Sequence, residues 1–287
     1  MSDIGGYTQT MTLWLTRLED IGFAKTRRAI AAFMLTVFVF LYFALAMNAP
    51  EGWGRAFLAL SLCYLVAFGG LVAEWFWGRW FATGIGWSGL MVGVFSLVMF
   101  GWSIPLAAYT GFHGLVVACL LGKKMAAIYD LQEAWRARFQ MDEFGVARLR
   151  KTVTRSAASL PGLILWALGP KNPDQSMVHA AISATVAIAG ISGLLGVLKG
   201  RTWGVLALAG TAAALCLHAP LHAGTTEFLG VVPLLSQVAS DSQAFAGLPG
   251  LLVVFALSSS VAGVGLALAV APFARPLVSA WRMTARR

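Results

Sequence analysis

Three of the four histidines have a spacing that could bind a metal ion. His179 begins one long apolar segment, whereas His218 and His222 lie at the end of the next one. If both segments cross a membrane, the three residues share one side of it, and on a continuous helix His218 and His222 share one face. Converging imidazoles could bind zinc or copper, or supply one axial side of a haem. Pro220 is expected to end the helix between them, so the alternative is ordinary histidines near the headgroups, with no cofactor.

The fourth histidine, His113, lies within an apolar segment and is the one candidate proton carrier at membrane depth. Glu74 is the only Asp or Glu in a predicted span, and it lies at the edge of that span. Proton- and sodium-coupled carriers place ionisable side chains at depth. A path for a solute would therefore involve His113, Tyr109 and Ser88. The alternative is a neutral His113 that hydrogen-bonds a neighbouring carbonyl or Tyr109.

The tetrapeptide Gly86-Trp87-Ser88-Gly89 lies on the predicted helix that precedes the helix of His113. It resembles the serine motif of the rhomboid intramembrane proteases, which pair such a serine with a histidine of another helix. The resemblance implies a nucleophile at Ser88 and a base at His113. It covers four residues and one histidine, and rhomboids place a further span between the two. The simpler interpretation is that these small residues pack within a tight helical hairpin.

No other motif predicts catalysis, so an enzyme is not the favoured class. The cysteines, Cys63, Cys119 and Cys216, each stand alone in an apolar stretch, with neither metal-ligand spacing nor the pattern of a disulfide framework. The sequence contains no phosphate-binding glycine loop, dinucleotide fingerprint or paired-carboxylate site.

Composition indicates a polytopic, all-α membrane protein. Of the 287 residues, 59% are hydrophobic and 11% are charged, whereas soluble domains carry about 25% charged residues. The net charge of +9 does not indicate a nucleic-acid partner, because the basic residues lie at the ends of apolar segments and are explained by orientation in a bilayer. The expected location is a bacterial inner membrane, with the lipid bilayer as partner.

Eight spans are predicted from uncharged segments of about 20 residues. They cover 29–50, 56–73, two spans within 80–122 that divide at 101–105, 156–170, 175–198, 202–222 and 249–272. We expect 1–28 to be a polar, partly interfacial segment, 228–240 a re-entrant or surface helix, and 275–287 a basic tail. Both termini are then cytoplasmic, with 19 of the 21 Lys and Arg residues on that side. The segment 156–170 reaches only about 22 Å as a helix, so a re-entrant piece is its alternative.

A polar segment, 123–155, separates the fourth and fifth spans and holds eight Lys and Arg residues. An apolar stripe at helical spacing predicts a basic amphipathic cytoplasmic helix. The stripe consists of Met125, Ile128, Leu131, Trp135 and Phe139. Asp130 and Glu133 are predicted to lie off the stripe, and a break is predicted at 142–145. The segment is either a structural elbow or a helix that regulates the protein or docks a partner.

The two membrane halves differ in composition. The half at 29–122 is rich in aromatic residues, whereas 156–274 is rich in Ala and Gly, with small residues four apart. Such pairs let helix backbones approach closely. We therefore expect tight helix contacts at Gly193, Gly196, Gly210 and Gly263.

The favoured function is a permease or channel for a small solute, because Pro161, Pro233 and two short apolar segments suggest interrupted helices, which often line cavities. The alternative is a non-catalytic subunit or scaffold of a membrane complex, with other subunits or a second copy as partner. Metal or haem binding and intramembrane proteolysis are more remote. A hydrated polar cavity at His113 would support transport, and a solid core with a broad apolar face would support the subunit.

Overall fold

The structure, a computed structural model, describes residues 4–49, 53–130, 132–139, 142–169, 176–199, 201–222 and 262–273. Every regular element in these ranges is an α-helix. The helices are α1 Ile4–Asn48, α2 Gly54–Val72, α3 Gly78–Phe100, α4 Ile104–Leu120, α5 Lys123–Asp130, α6 Glu133–Phe139, α7 Glu143–Leu168, α8 Ser176–Leu198, α9 Thr202–His222 and α10 Ala262–Phe273. The predicted segments 228–240 and 275–287, and the first part of the predicted span 249–272, lie outside the described residues.

Several helices are long and apolar enough to cross a membrane. Four such stretches are Phe23–Asn48, Gly54–Val72, Gly78–Val98 and Ala181–Leu198. A fifth is added if α4 and α5, which meet at a bend of 70°, are counted as one span. Length and composition therefore agree with a helical membrane protein. The number of eight spans and the side on which the termini lie stay predictions.

Helices α3 and α4 form a hairpin whose turn falls within the predicted interval 101–105. Gly101, which follows α3, has a φ of +83°, and the Ser103 hydroxyl accepts a hydrogen bond from the backbone nitrogen of Leu106 at 3.4 Å. A glycine adopts that φ without a steric penalty, and a serine at the N-cap satisfies a free backbone N–H. The sequence cue of Gly and Pro at this turn was therefore sufficient to locate it.

Helix α1 runs unbroken from Ile4 to Asn48, across the predicted boundary between the polar segment 1–28 and the first span. The boundary between the interfacial and the spanning part stays a prediction. The chain has no proline within α1, and Gly22 is the only glycine after Gly6 in this helix. An isolated glycine weakens a helix by about 1 kcal/mol but does not end it. The helix therefore extends well beyond the 26-residue stretch that could cross a membrane.

The predicted amphipathic helix is divided into α5 and α6. Helix α5 ends at Asp130, and α6 begins three positions further on. Met125 and Trp135 of the predicted stripe are buried. Leu131 and the side chain of Phe139 lie outside the described residues. The division coincides with Asp130, whose carboxylate is held inside the bundle as set out below.

Helix α7 begins where the break at 142–145 was predicted. Asp142 caps it by accepting a hydrogen bond from the Gly145 nitrogen at 2.6 Å. The helix then continues for 26 residues to Leu168, so the end of the polar segment and the short apolar segment 156–170 form one element. Pro161 does not interrupt it, in contrast to the prediction. A proline removes one backbone hydrogen bond, and neighbouring helices in a bundle can compensate for this loss.

Helix α7 packs against helices of both predicted halves, namely α2 and α3 on one side and α8 on the other. Gly84 of α3 lies so close to Thr154 and Ala157 that a side chain at position 84 would overlap α7. The Thr152 hydroxyl donates to the backbone oxygen of Ala269 in α10 at 2.8 Å. The aromatic half and the Ala- and Gly-rich half therefore share α7 in their core.

Three of the four glycines expected at helix contacts lie in such contacts. A Cβ on Gly193 would lie 3.1 Å from the backbone oxygen of Gly204 in α9, and a Cβ on Gly196 would lie 2.9 Å from the Cα of the same residue. A Cβ on Gly263 in α10 would lie 2.9 Å from the backbone of α9. Gly210 differs from the prediction, because a Cβ there would meet nothing within 4 Å. It lies on the exposed side of α9, away from α8.

Candidate functional site

His113 is the centre of a hydrogen-bonded cluster that joins α2 and α4. Its Nδ1 lies 2.9 Å from the backbone oxygen of Tyr109, one turn earlier in α4, and its Nε2 lies 2.7 Å from the hydroxyl of Tyr64 in α2. A carbonyl oxygen only accepts, so Nδ1 carries the hydrogen, and in the neutral ring Nε2 accepts the Tyr64 proton. Both nitrogens are thus satisfied inside the protein. This is the arrangement of a neutral histidine bonded to a neighbouring carbonyl.

Aromatic rings and a glycine close the space around the imidazole, which is fully buried. Phe38 of α1 lies 3.8 Å from the His113 ring, centroid to centroid, and the Tyr109 ring lies at 4.3 Å. On the side of α3, a Cβ at Gly89 would overlap the imidazole. The Tyr42 hydroxyl of α1 hydrogen-bonds that of Tyr109 at 3.0 Å. Four helices therefore meet at this ring and close it off from the surface.

Ser88, the predicted nucleophile, is half-buried on α3 next to Gly89. In the described arrangement the two ring nitrogens of His113 are occupied by Tyr64 and Tyr109, so neither is available to the serine. A nucleophile and its base must be within hydrogen-bond reach for acyl chemistry. With both nitrogens occupied, His113 is not placed to act as the base of Ser88. The catalytic role that the rhomboid resemblance implies and the solute path through Ser88 stay predictions.

The three remaining histidines lie on α8 and α9, and their side chains are outside the described residues. Their helices are better defined: α9 continues through Pro220 as far as His222, so the expected helix end at the proline is not observed. His218 and His222 are therefore one turn apart on one helix, and α8, which carries His179, packs against it. Among the side chains that the structure describes, no group of three His, Cys, Asp or Glu could hold a metal. The metal site at the histidines stays a prediction.

A second polar site lies near the junction of α4 and α5, and its centre is an ion pair between Arg79 and Asp130. Arg79 Nη1 is 2.9 and 3.0 Å from the two carboxylate oxygens, and both residues are 7% exposed. Arg79 Nε donates to the Leu120 backbone oxygen at 2.9 Å, and Trp80 Nε1 donates to the carboxylate at 2.7 Å. Such complete pairing is what a buried ion pair requires. We call Arg79, Trp80 and Asp130 the clamp.

Further contacts fasten α5 and α6 to the residues that precede α3. The Tyr129 hydroxyl donates to the backbone oxygen of Leu71 at 2.8 Å. Burial raises the pKa of this hydroxyl above its usual 10.0, so it stays a donor at neutral pH. Trp135 of α6 stacks on Phe76 with ring centroids 4.3 Å apart. The two short helices are thus held in place by the clamp and by these aromatic contacts.

Sequence reasoning did not identify the clamp. Asp130 was predicted to lie off the buried stripe, yet it is buried, and so is Trp80. Glu74 forms an ion pair with Arg28 of α1. The sequence did contain a signal for a buried ion pair, because Arg79 stands among several tryptophans. An arginine that is buried with such neighbours needs a carboxylate partner. The sequence does not say which of the acids supplies it.

No family model, curated protein or solved structure matches this chain. Fold and site together define a class: a helical bundle with membrane-spanning character, a neutral cluster sealed in its interior, and a clamped pair of short helices at one end. The geometry of these two sites is therefore the basis for a functional proposal.

Proposed function

We propose that the protein is a non-catalytic subunit or scaffold of a membrane complex. The observation that carries this proposal is the sealed packing at His113, the residue around which a solute path was predicted. The ring is fully buried, its centroid lies 3.8 Å from that of Phe38, and Gly89 of α3 packs directly against it. A transport site needs a polar cavity that opens to water, and a solid core at this position suits a structural protein.

The proposal includes eight spans in a bacterial inner membrane, with both termini cytoplasmic. Nineteen of the 21 Lys and Arg residues then lie inside, and Arg55 and Lys171 lie outside. The fifth crossing falls on the uncharged second half of helix α7, which is shorter than a hydrocarbon core of about 30 Å, so this span needs a bilayer that is locally thinned. The charged first half of α7 then extends into the cytoplasm, together with α5 and α6.

A partner subunit or a second copy would use surfaces that the clamp keeps in place. Helices α5 and α6 present basic side chains on the cytoplasmic side, and they are tied to the bundle by Arg79, Asp130 and Trp135. A fixed surface loses little conformational entropy when it binds a partner. The lipid-facing surface of α1, where Phe33, Phe40 and other large apolar side chains are exposed, suits either acyl chains or the helices of another subunit.

A permease for a small solute is the second candidate, and one observation favours it. The Tyr64–His113 and Tyr42–Tyr109 pairs place hydroxyl and imidazole groups inside the apolar helices α1, α2 and α4. Polar groups at that depth often mark a transport path. Transport would require the four helices to separate at His113.

Access of thiol reagents to Cys63 distinguishes the two candidates. Cys63 precedes Tyr64 in α2 and is buried, so it reports on water that reaches the cluster. We would leave it as the single cysteine of the full-length protein in proteoliposomes, by Cys119→Ser and Cys216→Ser, and treat it with a small methanethiosulfonate. A scaffold predicts no modification before unfolding, whereas Arg148→Cys in a background without native cysteines should react at once. Rapid reaction of Cys63 would favour the permease.

The topology is tested by the same chemistry with a membrane-impermeant reagent. In right-side-out vesicles, Asn172→Cys should be labelled from outside, and Arg148→Cys only after the membrane is made permeable. The opposite labelling would exclude the eight-span arrangement.

A further inference from the structure

An open cleft of about 250 Å³ lies between α5, α6 and α7. Two of these helices line it with the same spacing, i, i+3, i+4 and i+7, which places four residues of each on one face. The lining consists of Lys123, Ala126, Ala127 and Asp130 from α5, Glu143, Val146, Ala147 and Arg150 from α7, and Arg136 from α6. Small apolar residues thus form the middle of the cleft, and charged residues surround them.

The charges of the lining do not cancel. Asp130 is already neutralised by Arg79, which contacts both of its oxygens. Lys123, Arg136 and Arg150 then face a single remaining acid, Glu143. The cleft therefore has an excess of positive charge.

The cations also have unused donors. Lys123 and Arg136 have no ion-pair partner within the part of the chain that the structure describes. Arg150 is 45% exposed at its side chain and gives Asp130 one contact at 3.4 Å, so most of its N–H groups are free to donate. Three cations with free N–H groups around one concavity suit a phosphate, whose oxygens accept several charge-assisted hydrogen bonds.

We propose that this cleft binds the phosphate of a lipid headgroup in the cytoplasmic leaflet. The proposal rests on the cytoplasmic placement of α5–α7 put forward above. The cleft follows directly on α4, after the bend of 70°, and so lies at the depth where a span ends and headgroups begin. It is smaller than the roughly 300–1,000 Å³ of pockets for drug-sized ligands, which suits a headgroup with its acyl chains outside. Basic pockets beside cytoplasmic span ends are established sites for anionic headgroups.

Native mass spectrometry of the delipidated, full-length protein in mild detergent tests the proposal. Phosphatidylglycerol should form a saturable one-to-one adduct, and inorganic phosphate should compete with it only weakly. Lys123→Gln and Arg136→Gln should each lower the affinity about five-fold, the effect of one basic residue near an anionic headgroup. Arg148→Gln is the matched control, because Arg148 is an exposed arginine of α7 outside the cleft, and it should change nothing. Glu143→Gln should strengthen binding, since it removes the opposing charge.

Three results would overturn the proposal. Equal losses in Arg148→Gln and Arg136→Gln would mean diffuse attraction and no site. Weaker binding in Glu143→Gln would mean a ligand with a cationic group. Inorganic phosphate that binds as tightly as the lipid would mean a soluble anion. The labelling experiment reports separately on orientation, so an inverted topology with an intact adduct would refute the cytoplasmic placement of α5–α7 and leave a lipid site in the other leaflet.

Discussion

The clamp makes a quantitative prediction about how α5 and α6 are held. Asp130→Asn keeps the shape of the side chain but removes its charge, which leaves the guanidinium of Arg79 unpaired at 7% exposure. Removal of one partner of a buried ion pair costs about 3–5 kcal/mol, because the other charge remains away from water. We expect a decrease of that size in the free energy of unfolding.

Two further variants test whether the cost of Asp130→Asn comes from leaving a charge buried without a partner. Glu74→Gln breaks the Arg28–Glu74 pair, whose side chains are 26% and 49% exposed; an exposed pair contributes only about 0–1 kcal/mol. The double variant Arg79→Met, Asp130→Leu removes both buried charges, and such replacement is often neutral. We expect the double variant to be more stable than Asp130→Asn. It should stay about 1–3 kcal/mol below the wild type, because the indole N–H of Trp80 then has no acceptor.

The assay is reversible unfolding by SDS in mixed micelles, combined with limited trypsin digestion. Asp130→Asn should be the least stable of the three, and trypsin should cut after Arg136 faster than in the wild type, because α6 loses its anchor. If Asp130→Asn is no less stable than Glu74→Gln, the pair is not buried as described. If the double variant is as unstable as the single one, the cost does not come from an uncompensated charge.

The other predictions concern close contacts and the histidines. Gly89→Ala should destabilise the protein in the same assay by about 1–3 kcal/mol, since its Cβ would overlap His113, whereas Gly210→Ala, in open space, should be neutral or stabilising by up to about 1 kcal/mol. Gly193→Leu should cost about 1–3 kcal/mol by separating α8 and α9, with Gly210→Leu as control; equal Tm values would contradict the close contact. Metal analysis of the wild type and of a His218→Ala, His222→Ala variant should find the same content in both if these are ordinary interfacial histidines, whereas zinc or copper that is lost in the variant would establish the metal site.

The positions of several helices could be predicted from sequence because uncharged runs bounded by charge, Gly or Pro are strong signals. Helix α9 has the bounds predicted for its segment, and α8 differs by a single residue at its start. The continuity of α1 and α7 could not be predicted, because it depends on contacts beyond the segment. Pro161 marks a break in an isolated helix, but within the bundle it lies in a buried position on a helix packed from both sides.

The candidate site was predicted only in part, for a related reason. His113 and Tyr109 were identified from their types, but the partner in α2, Tyr64, has no signal in its own neighbourhood. The amphipathic pattern failed at Asp130, because it assumes that a polar side chain faces solvent. A short helix covered on two sides can bury a carboxylate if a cation lies opposite, and Arg79 lies 51 positions away in the sequence. Local periodicity contains no information on a pairing of that range.

The two polar sites stabilise their buried groups in different ways. The difference is consistent with the small number of charged residues inside the spans. At His113 the polar groups are neutral and are satisfied in pairs, so they can lie among apolar helices at little cost. At the clamp the groups are charged, and they lie at the end of the bundle, where each has a full set of partners. Once Asp130 is neutralised by Arg79, the cations of α5–α7 are left without enough acids to pair with. On the proposed topology, the positive surface of α5–α7 lies at the level of the lipid phosphates.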